Sequence, residues 1–168
     1  ALLALCALPL YGLPASASGG GALQIRLSQE SYVITDEARK PGDGNTGTTG
    51  FYDLMIHNFS MINESTKDIE LRTAYIETLA KGRVLERSYM STADIAGVSA
   101  QFRQYKKLNF PVALDALFAA DAILPAGFDV SDSPTVIHPK TALIATANYV
   151  LSHGLPDTVR VVAIGRTA

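Results

Sequence analysis

The chain has 168 residues with 14 basic and 16 acidic side chains, one cysteine and no tryptophan. The formal net charge of −2 is spread without blocks, which excludes the basic surface typical of a nucleic-acid-binding protein. A chain of about 150 residues can bury one hydrophobic core, so we expect a single domain. Beyond the N-terminal segment, no apolar run is long enough to predict a membrane span.

An apolar segment at the N-terminus predicts export. It covers residues 1–13, which suits the hydrophobic region of a secretory signal and falls short of the roughly 20 residues of a membrane-spanning helix. Ala15–Ala17 then supplies the small-residue pattern of a cleavage site. A buried N-terminal helix is the alternative, but Pro9 and Pro14 interrupt it. We predict a signal peptide over residues 1–17, a periplasmic or secreted location, and a natural chain that begins further upstream.

The one cysteine, Cys6, lies inside this segment. Cleavage after Ala17 therefore predicts a mature protein without a disulfide, a cysteine metal ligand or a thiol nucleophile. A lipoprotein anchored at Cys6 is the alternative, but Leu5 is larger than the small residue that usually precedes an anchored cysteine.

Short strand patterns dominate the region after a flexible lead-in over residues 18–22. Leu23–Leu27 alternates apolar and polar residues, and Tyr32–Ile34 is a second short candidate. Asp36–Gly50 is charged, rich in Gly and Thr, and without periodicity, which predicts a long loop. Phe51–Phe59 returns to a strand pattern.

A β-hairpin follows. Its first strand is predicted to place Ile69, Leu71 and Tyr75 on one face, and Ala80–Gly82 supplies a short turn with glycine. Val84–Met90 has the pattern of the returning strand. Two strand patterns around such a turn are typical of a hairpin.

The middle of the chain predicts helix. Ser91 and Asp94 provide a hydroxyl cap and an acidic first turn, and Lys106 and Lys107 suit a helix C-terminus. The apolar residues between them recur at helical spacing: Ile95, Val98, Phe102 and Tyr105. Val112–Phe118 is a second, shorter helical candidate, so we predict a helical insertion from Thr92 to Phe118.

The C-terminal third returns to strand patterns. Val136–His138 is short, an alternating segment leads towards Gly154, and Val159–Ile164 is a strong final strand with Val161 on the core face. The apolar members of the alternating segment are Leu143, Ala145, Ala147, Tyr149 and Leu151. These patterns predict a mainly β protein with the fold of an immunoglobulin-like β-sandwich, a helical insertion, and one domain over residues 23–168.

Three segments carry a resemblance to a known class of domain. Asn58–Ser65, the hairpin around Lys81–Gly82 and Gly154–Val161 together resemble bacterial extracytoplasmic immunoglobulin-like accessory domains. Some of these domains precede zinc peptidases that cut the cell wall. The resemblance covers Leu23–Ile164 and implies a non-catalytic module. It transfers no functional residue, and it implies that any zinc ligands lie on a neighbouring domain.

Metal-binding patterns are absent from the sequence. The three histidines, His57, His138 and His153, are widely separated, and no H-E-x-x-H motif occurs. Asp53 and His57 share a strand face but lie too far apart to hold one ion unaided. We therefore predict no metal site and no cofactor.

The Asp43–Gly50 loop carries one weak cation pattern. Asp43, Asn45 and Gly47 resemble the start of a calcium loop, but Leu54 occupies the twelfth position, where an EF-hand needs glutamate. Weak calcium binding by this loop stays open. A phosphate-binding loop is not predicted, because the Gly-Lys-Ser/Thr ending is missing.

Nucleophile motifs are also missing. Gly97–Gln101 lacks the final glycine of a nucleophile elbow and falls in a predicted helix. A triad assembled from distant residues stays open, because such triads form in space. The polar residues of the helix predict either a docking face or a solvated outer face: Gln101, Arg103, Gln104, Tyr105, Lys106 and Lys107.

Two functions remain. The first is an exported, non-catalytic binding or scaffold module of the cell envelope, whose partner is a protein, an envelope component or a covalently linked neighbour domain. A free edge strand such as the last one is its expected contact. The second is a hydrolase of envelope polymers with a site in the loops around His138 and His153. The sequence predicts no catalytic residue and identifies no binding residue.

Overall fold

The computed structural model of the chain describes residues 22–28, 34–37, 51–108, 118 and 120–167. For residues 34–37 and for five positions between Phe51 and His57, it describes the backbone and not the side chain. The described elements follow one another in this order: β1 (Leu23–Leu27), β2 (Ile34–Glu37), β3 (Phe51–Asn63), β4 (Ile69–Ala80), β5 (Arg83–Tyr89), α1 (Thr92–Lys107), α2 (Ala120–Ile123), β6 (Asp129–Val130), β7 (Val136–Ile137), β8 (Thr141–Leu151) and β9 (Thr158–Thr167).

The strands form two sheets. The first has the order β1-β3-β8-β6, and β2 pairs with the first half of β3. The second has the order β5-β4-β9, and β7 lies beside the start of β4 on the same side as β5. All pairs are antiparallel except that of β6 with β8. The predicted mainly β fold with two layers is confirmed.

The main core lies between the two sheets. Its buried residues include Leu54, Phe59, Met61 and Leu143 from the first sheet and Leu71, Ile76 and Val161 from the second. Val161 is 6% exposed, so its predicted position on the core face is confirmed. A second cluster joins the helices to the outer face of the first sheet and contains Phe102, Phe118, Ile123, Val130 and Ile144.

Strand β3 is longer than predicted and continues past Phe59 to Asn63. Ser60 and Asn63 near its end are residue types that favour turns, but here they are buried and their side chains make hydrogen bonds. Asn63 donates through Nδ2 to the carbonyls of Lys67 and Ile137, both at 2.7 Å. Burial of a polar group is tolerated where its hydrogen bonds are made. The tertiary partners of Asn63 thus override its local preference.

One face assignment was wrong. Tyr75 does not share the core face with Ile69 and Leu71, because β4 has a bulge opposite β9 between Leu71 and Thr73. A bulge changes which side chains face inwards. Ala74 and Ile76 are therefore buried, and the ring of Tyr75 packs against that of Tyr89 instead.

The predicted hairpin is confirmed. Ala80 pairs with Arg83, and the two residues between them, Lys81 and Gly82, have φ of 51° and 75°. Positive φ at both turn positions matches the twist of the two strands and is easiest for glycine.

Helix α1 begins and ends where the sequence predicts. The Ser91 side chain accepts from the backbone N–H of Asp94 at 3.1 Å, and Ile95 and Phe102 are buried. The second predicted helix, Val112–Phe118, lies outside the described residues except for Phe118. The ring of Phe118 packs 5.1 Å from that of Phe102.

The predicted loop was wrong at its start, because Asp36 and Glu37 belong to β2 and pair with the beginning of β3. The rest of that loop, the first two residues of the Tyr32–Ile34 candidate and the predicted signal segment lie outside the described residues. Among the described helices, none is long and apolar enough to cross a membrane.

Candidate functional site

The fold keeps the three histidines apart. His57 belongs to β3, and its side chain and that of Asp53 lie outside the described part of the structure, as does the Asp43–Gly50 loop. His138 follows β7, and His153 follows β8. Among the described residues, no group of three or more histidine, cysteine or acidic side chains could hold a metal ion.

His138 lies between two carboxylates. Its Nδ1 is 3.0 Å from Oδ1 of Asp68, and its Nε2 is 3.5 Å from Oδ1 of Asp132. A general base in a serine hydrolase needs one nitrogen on its orienting carboxylate and the other on the nucleophile. Both nitrogens of His138 face carboxylates, so this arrangement does not supply that relay.

The cavity beside His138 has a volume of about 620 Å³ and a basic wall from the end of α1. Two basic side chains of this wall make contacts with the residues of β6 and the residue that follows it. Arg103 donates to the carbonyl of Ser131, and Lys106 lies 2.9 Å from Asp129. The hydrogen bond from Lys106, together with the backbone N–H of Val130, holds the pKa of Asp129 below its usual range against the opposing effect of burial. Part of the predicted docking face thus fastens α1 to β6.

His153 belongs to a trio that joins β5 to the end of β8. Oε2 of Glu86 is 2.8 Å from Nδ1 of His153 and 3.3 Å from the hydroxyl of Ser152. The Ser152 hydroxyl is also 3.0 Å from the same Nδ1. A catalytic triad places serine and carboxylate on opposite ring nitrogens. The side chain of His153 is 64% exposed, so the trio is also not enclosed in a cleft.

The serine in the Gly97–Gln101 motif has a structural role. Ser99 lies in α1 as predicted and is 1% exposed. Its hydroxyl donates to the carbonyl of Ile144 at 3.0 Å and accepts from the N–H of Ile144 at 2.9 Å. A hydroxyl bonded in both directions to buried backbone is not available as a nucleophile.

An ion cluster around one buried carboxylate, with two half-exposed arginines, ties the second sheet together. Glu77 of β4 is 2% exposed, and its carboxylate is 2.7 Å from Nε of Arg87 on β5 and 2.8 Å from Nε of Arg160 on β9. Burial by itself raises the pKa of Glu77, but the hydrogen bonds and charges of the two arginines outweigh it and lower the pKa. The guanidinium of Arg87 also lies 5.7 Å from the ring centre of Tyr75. These contacts hold β9 firmly against β4.

The other edge of β9 is open within the described part of the chain. The strand has ten residues, and among the described residues only β4 pairs with it. The carbonyl of Leu79 accepts a hydrogen bond from the backbone N–H of Asp157 at 2.9 Å, so the backbone groups of Leu79 point towards β9. Because directions alternate along paired strands, the backbone groups of Val159, Val161 and Ala163 point to the open edge. Such an edge is a template for another strand.

Sequence reasoning missed the acidic residues that organise these contacts. Glu86 and His153 are 67 residues apart, and no local pattern links them. Glu77 is an acid in a strand, but of its two arginine partners only Arg87 lies on the next strand, while Arg160 is 83 residues away on β9. The pairing of those strands is set by tertiary structure.

Comparison with protein-family models, with curated proteins and with solved structures finds no match for the chain.

Proposed function

We propose that the chain is an exported, non-catalytic binding or scaffold module of the cell envelope, and that a protein segment docks on it by adding a strand to the open edge of β9. Addition of a strand uses backbone hydrogen bonds that an edge already offers. The edge at Val159, Val161 and Ala163, with which no other described residue pairs, carries this proposal.

The strand order supports an immunoglobulin-like assignment as part of the proposal. Taken as strands A, B and E, β1, β3 and β8 are neighbours as in immunoglobulin sheets, and β5, β4 and β9 then correspond to C′, C and F. In that topology the far edge of strand F carries a further strand, G. A neighbouring domain or partner that supplies an extended strand would fit this edge.

The contacts of the polar residues also support a binding role. His138 and His153 lack the connectivity of a proton relay, and Ser99 is bonded to buried backbone. The rigid hold of Glu77 on β9 keeps the edge in a fixed geometry, which lowers the entropy cost of binding.

The test measures binding of the purified protein to the insoluble envelope fraction of the source organism. Release of soluble envelope fragments is measured in the same sample. Val159→Pro removes an N–H from the open edge and leaves the β4 ladder intact, because proline is tolerated on edge strands. Val84→Pro, on the edge strand β5, is the matched control. We expect the protein to bind the envelope fraction, and protease treatment of the envelope should abolish this binding. Val159→Pro should weaken binding, whereas Val84→Pro should leave it unchanged.

Release of soluble envelope fragments by the parent protein, together with loss of this release in His138→Ala or His153→Ala, would contradict the proposal. The chain would then be a hydrolase. Equal binding by the two proline variants would show that the β9 edge is not the contact.

A further inference from the structure

The outer edge of β8 is covered over its first half and open over its second. At its start, β6 pairs with it, and the N–H of Ser131 donates to the carbonyl of Ala142 at 2.8 Å. Further along β8, the Ser99 hydroxyl donates to the carbonyl of Ile144 and accepts from its N–H. From Thr146 to Val150, no other described residue pairs with this edge.

Alternation along the strand shows which groups are open. Because the N–H and carbonyl of Ile144 point away from β3, those of Thr146, Asn148 and Val150 point the same way. Ala147, between them, is paired with β3. The open stretch is roughly 13 Å long at about 3.3 Å per residue.

This open edge borders a groove of about 510 Å³, with α1 and the end of β5 on the opposite side. Apolar and aromatic surface comes from Tyr89, Met90 and Val98, and Tyr89 is 64% exposed. Tyr149 also lines the groove, and burial, with the charge of Asp94 as a second cause, raises the pKa of its hydroxyl. Among the described residues that line the groove, Asp94 is the one charged side chain, and its Oδ2 also accepts from the Ser91 hydroxyl.

Gly97 has no explanation within the described structure. It lies inside α1 and lines the groove, and glycine is less favourable in a helix interior than every residue except proline. A Cβ added at this position would meet nothing within 4 Å, and its φ is ordinary for a helix. Neither close packing nor backbone conformation therefore requires glycine. The space beside Gly97 is part of the groove that also borders β8.

We propose that this groove binds an extended peptide segment that adds a strand to β8 at residues 146–150 and places a basic side chain beside Asp94. The unpaired backbone of β8 supplies the hydrogen bonds, as in domains that bind peptides between a strand edge and a helix. The negative charge of Asp94 selects the basic residue. This site lies on a different sheet from the β9 edge and is independent of the function proposed above.

The experiment uses the full chain and two synthetic peptides, acetyl-Val-Lys-Val-Lys-Val-amide and the same peptide with glutamate in place of lysine. Backbone amide chemical shifts are followed by NMR during titration. We expect saturable shifts at Thr146, Asn148 and Val150 with the lysine peptide, and affinity weaker by about tenfold or more for the glutamate peptide. Asp94→Asn should remove this difference between the peptides.

Two leucine variants locate the site. Gly97→Leu places a side chain in the groove and should abolish saturable binding, whereas Gln104→Leu adds the same side chain at an exposed position of α1 outside the lining and should leave binding unchanged. Both variants should fold, since leucine favours helix. Absence of saturable shifts, shifts at Val159 and Ala163 instead of β8, or binding that survives Gly97→Leu would each overturn the proposal. Shifts at β9 alone would still favour the docking edge proposed above.

Discussion

Replacement of Ser99 by alanine tests how α1 is fastened to the sandwich. The hydroxyl of Ser99 makes two hydrogen bonds with the backbone of Ile144, and both residues are almost completely buried, at 1% and 0% exposure. Without the hydroxyl, one N–H and one carbonyl remain unpaired away from water. Each such group costs about 1–3 kcal/mol, and alanine regains about 0.5 kcal/mol through its higher helix propensity.

We therefore expect Ser99→Ala to lower the free energy of unfolding by about 1.5–5.5 kcal/mol. At about 2–4 °C per kcal/mol for a chain of this size, the melting temperature should fall by roughly 3–20 °C. Urea denaturation followed by circular dichroism measures the free energy and shows whether the slope is unchanged. Gln104→Ala, on the exposed face of the same helix, should change stability by less than about 0.5 kcal/mol. An equally small effect of Ser99→Ala would refute the assigned role of the hydroxyl.

Three further changes test other parts of the fold. Val161→Asp buries an unpaired charge between the sheets and should lower stability by roughly 3–5 kcal/mol in urea denaturation; unchanged stability would place this side chain outside the core. Because the folded pKa of Glu77 is lowered, its contribution is complete above the ordinary value of 4.5 and is lost as the pH falls through the lowered value. Glu77→Gln should therefore be less stable than the parent at pH 7, with the difference shrinking in acid; a constant difference would exclude the ion cluster as its cause. Gly97→Ala should raise stability by about 1 kcal/mol, because the added methyl group meets open space, and a loss would mean that the helix is tightly packed there.

Local patterns predicted the features that neighbouring residues determine. The Lys81–Gly82 turn places both residues at positive φ, and the Ser91 cap bonds to the next turn of its own helix. Alternation predicted the residues of β8 that face the main core, whereas Ala142 and Ile144 on the opposite face are buried as well, Ile144 in the second cluster with the helices. In each case the physical cause lies within a few residues of the pattern.

Features that depend on distant partners were not predictable in this way. Asn63 continues a strand because Ile137 and Lys67 accept its hydrogen bonds. Tyr75 faces outwards because of a bulge that appears only when β4 pairs with β9. The open edge of β9 was not predictable for the same reason, because the strands that lie beside it are determined by the tertiary structure. Gly97 was the one visible signal for the groove, as an isolated glycine inside a helical pattern.

Amide hydrogen exchange at β9, resolved by NMR, tests the proposed docking edge most directly. In the free protein, the amides of Arg160 and Val162 should be protected by β4, and those of Val159, Val161 and Ala163 should exchange rapidly. On binding to the envelope fraction, the second group should become protected as a new strand pairs with it. Protection of these three amides already in the free protein, or rapid exchange that persists in the bound state, would contradict the account.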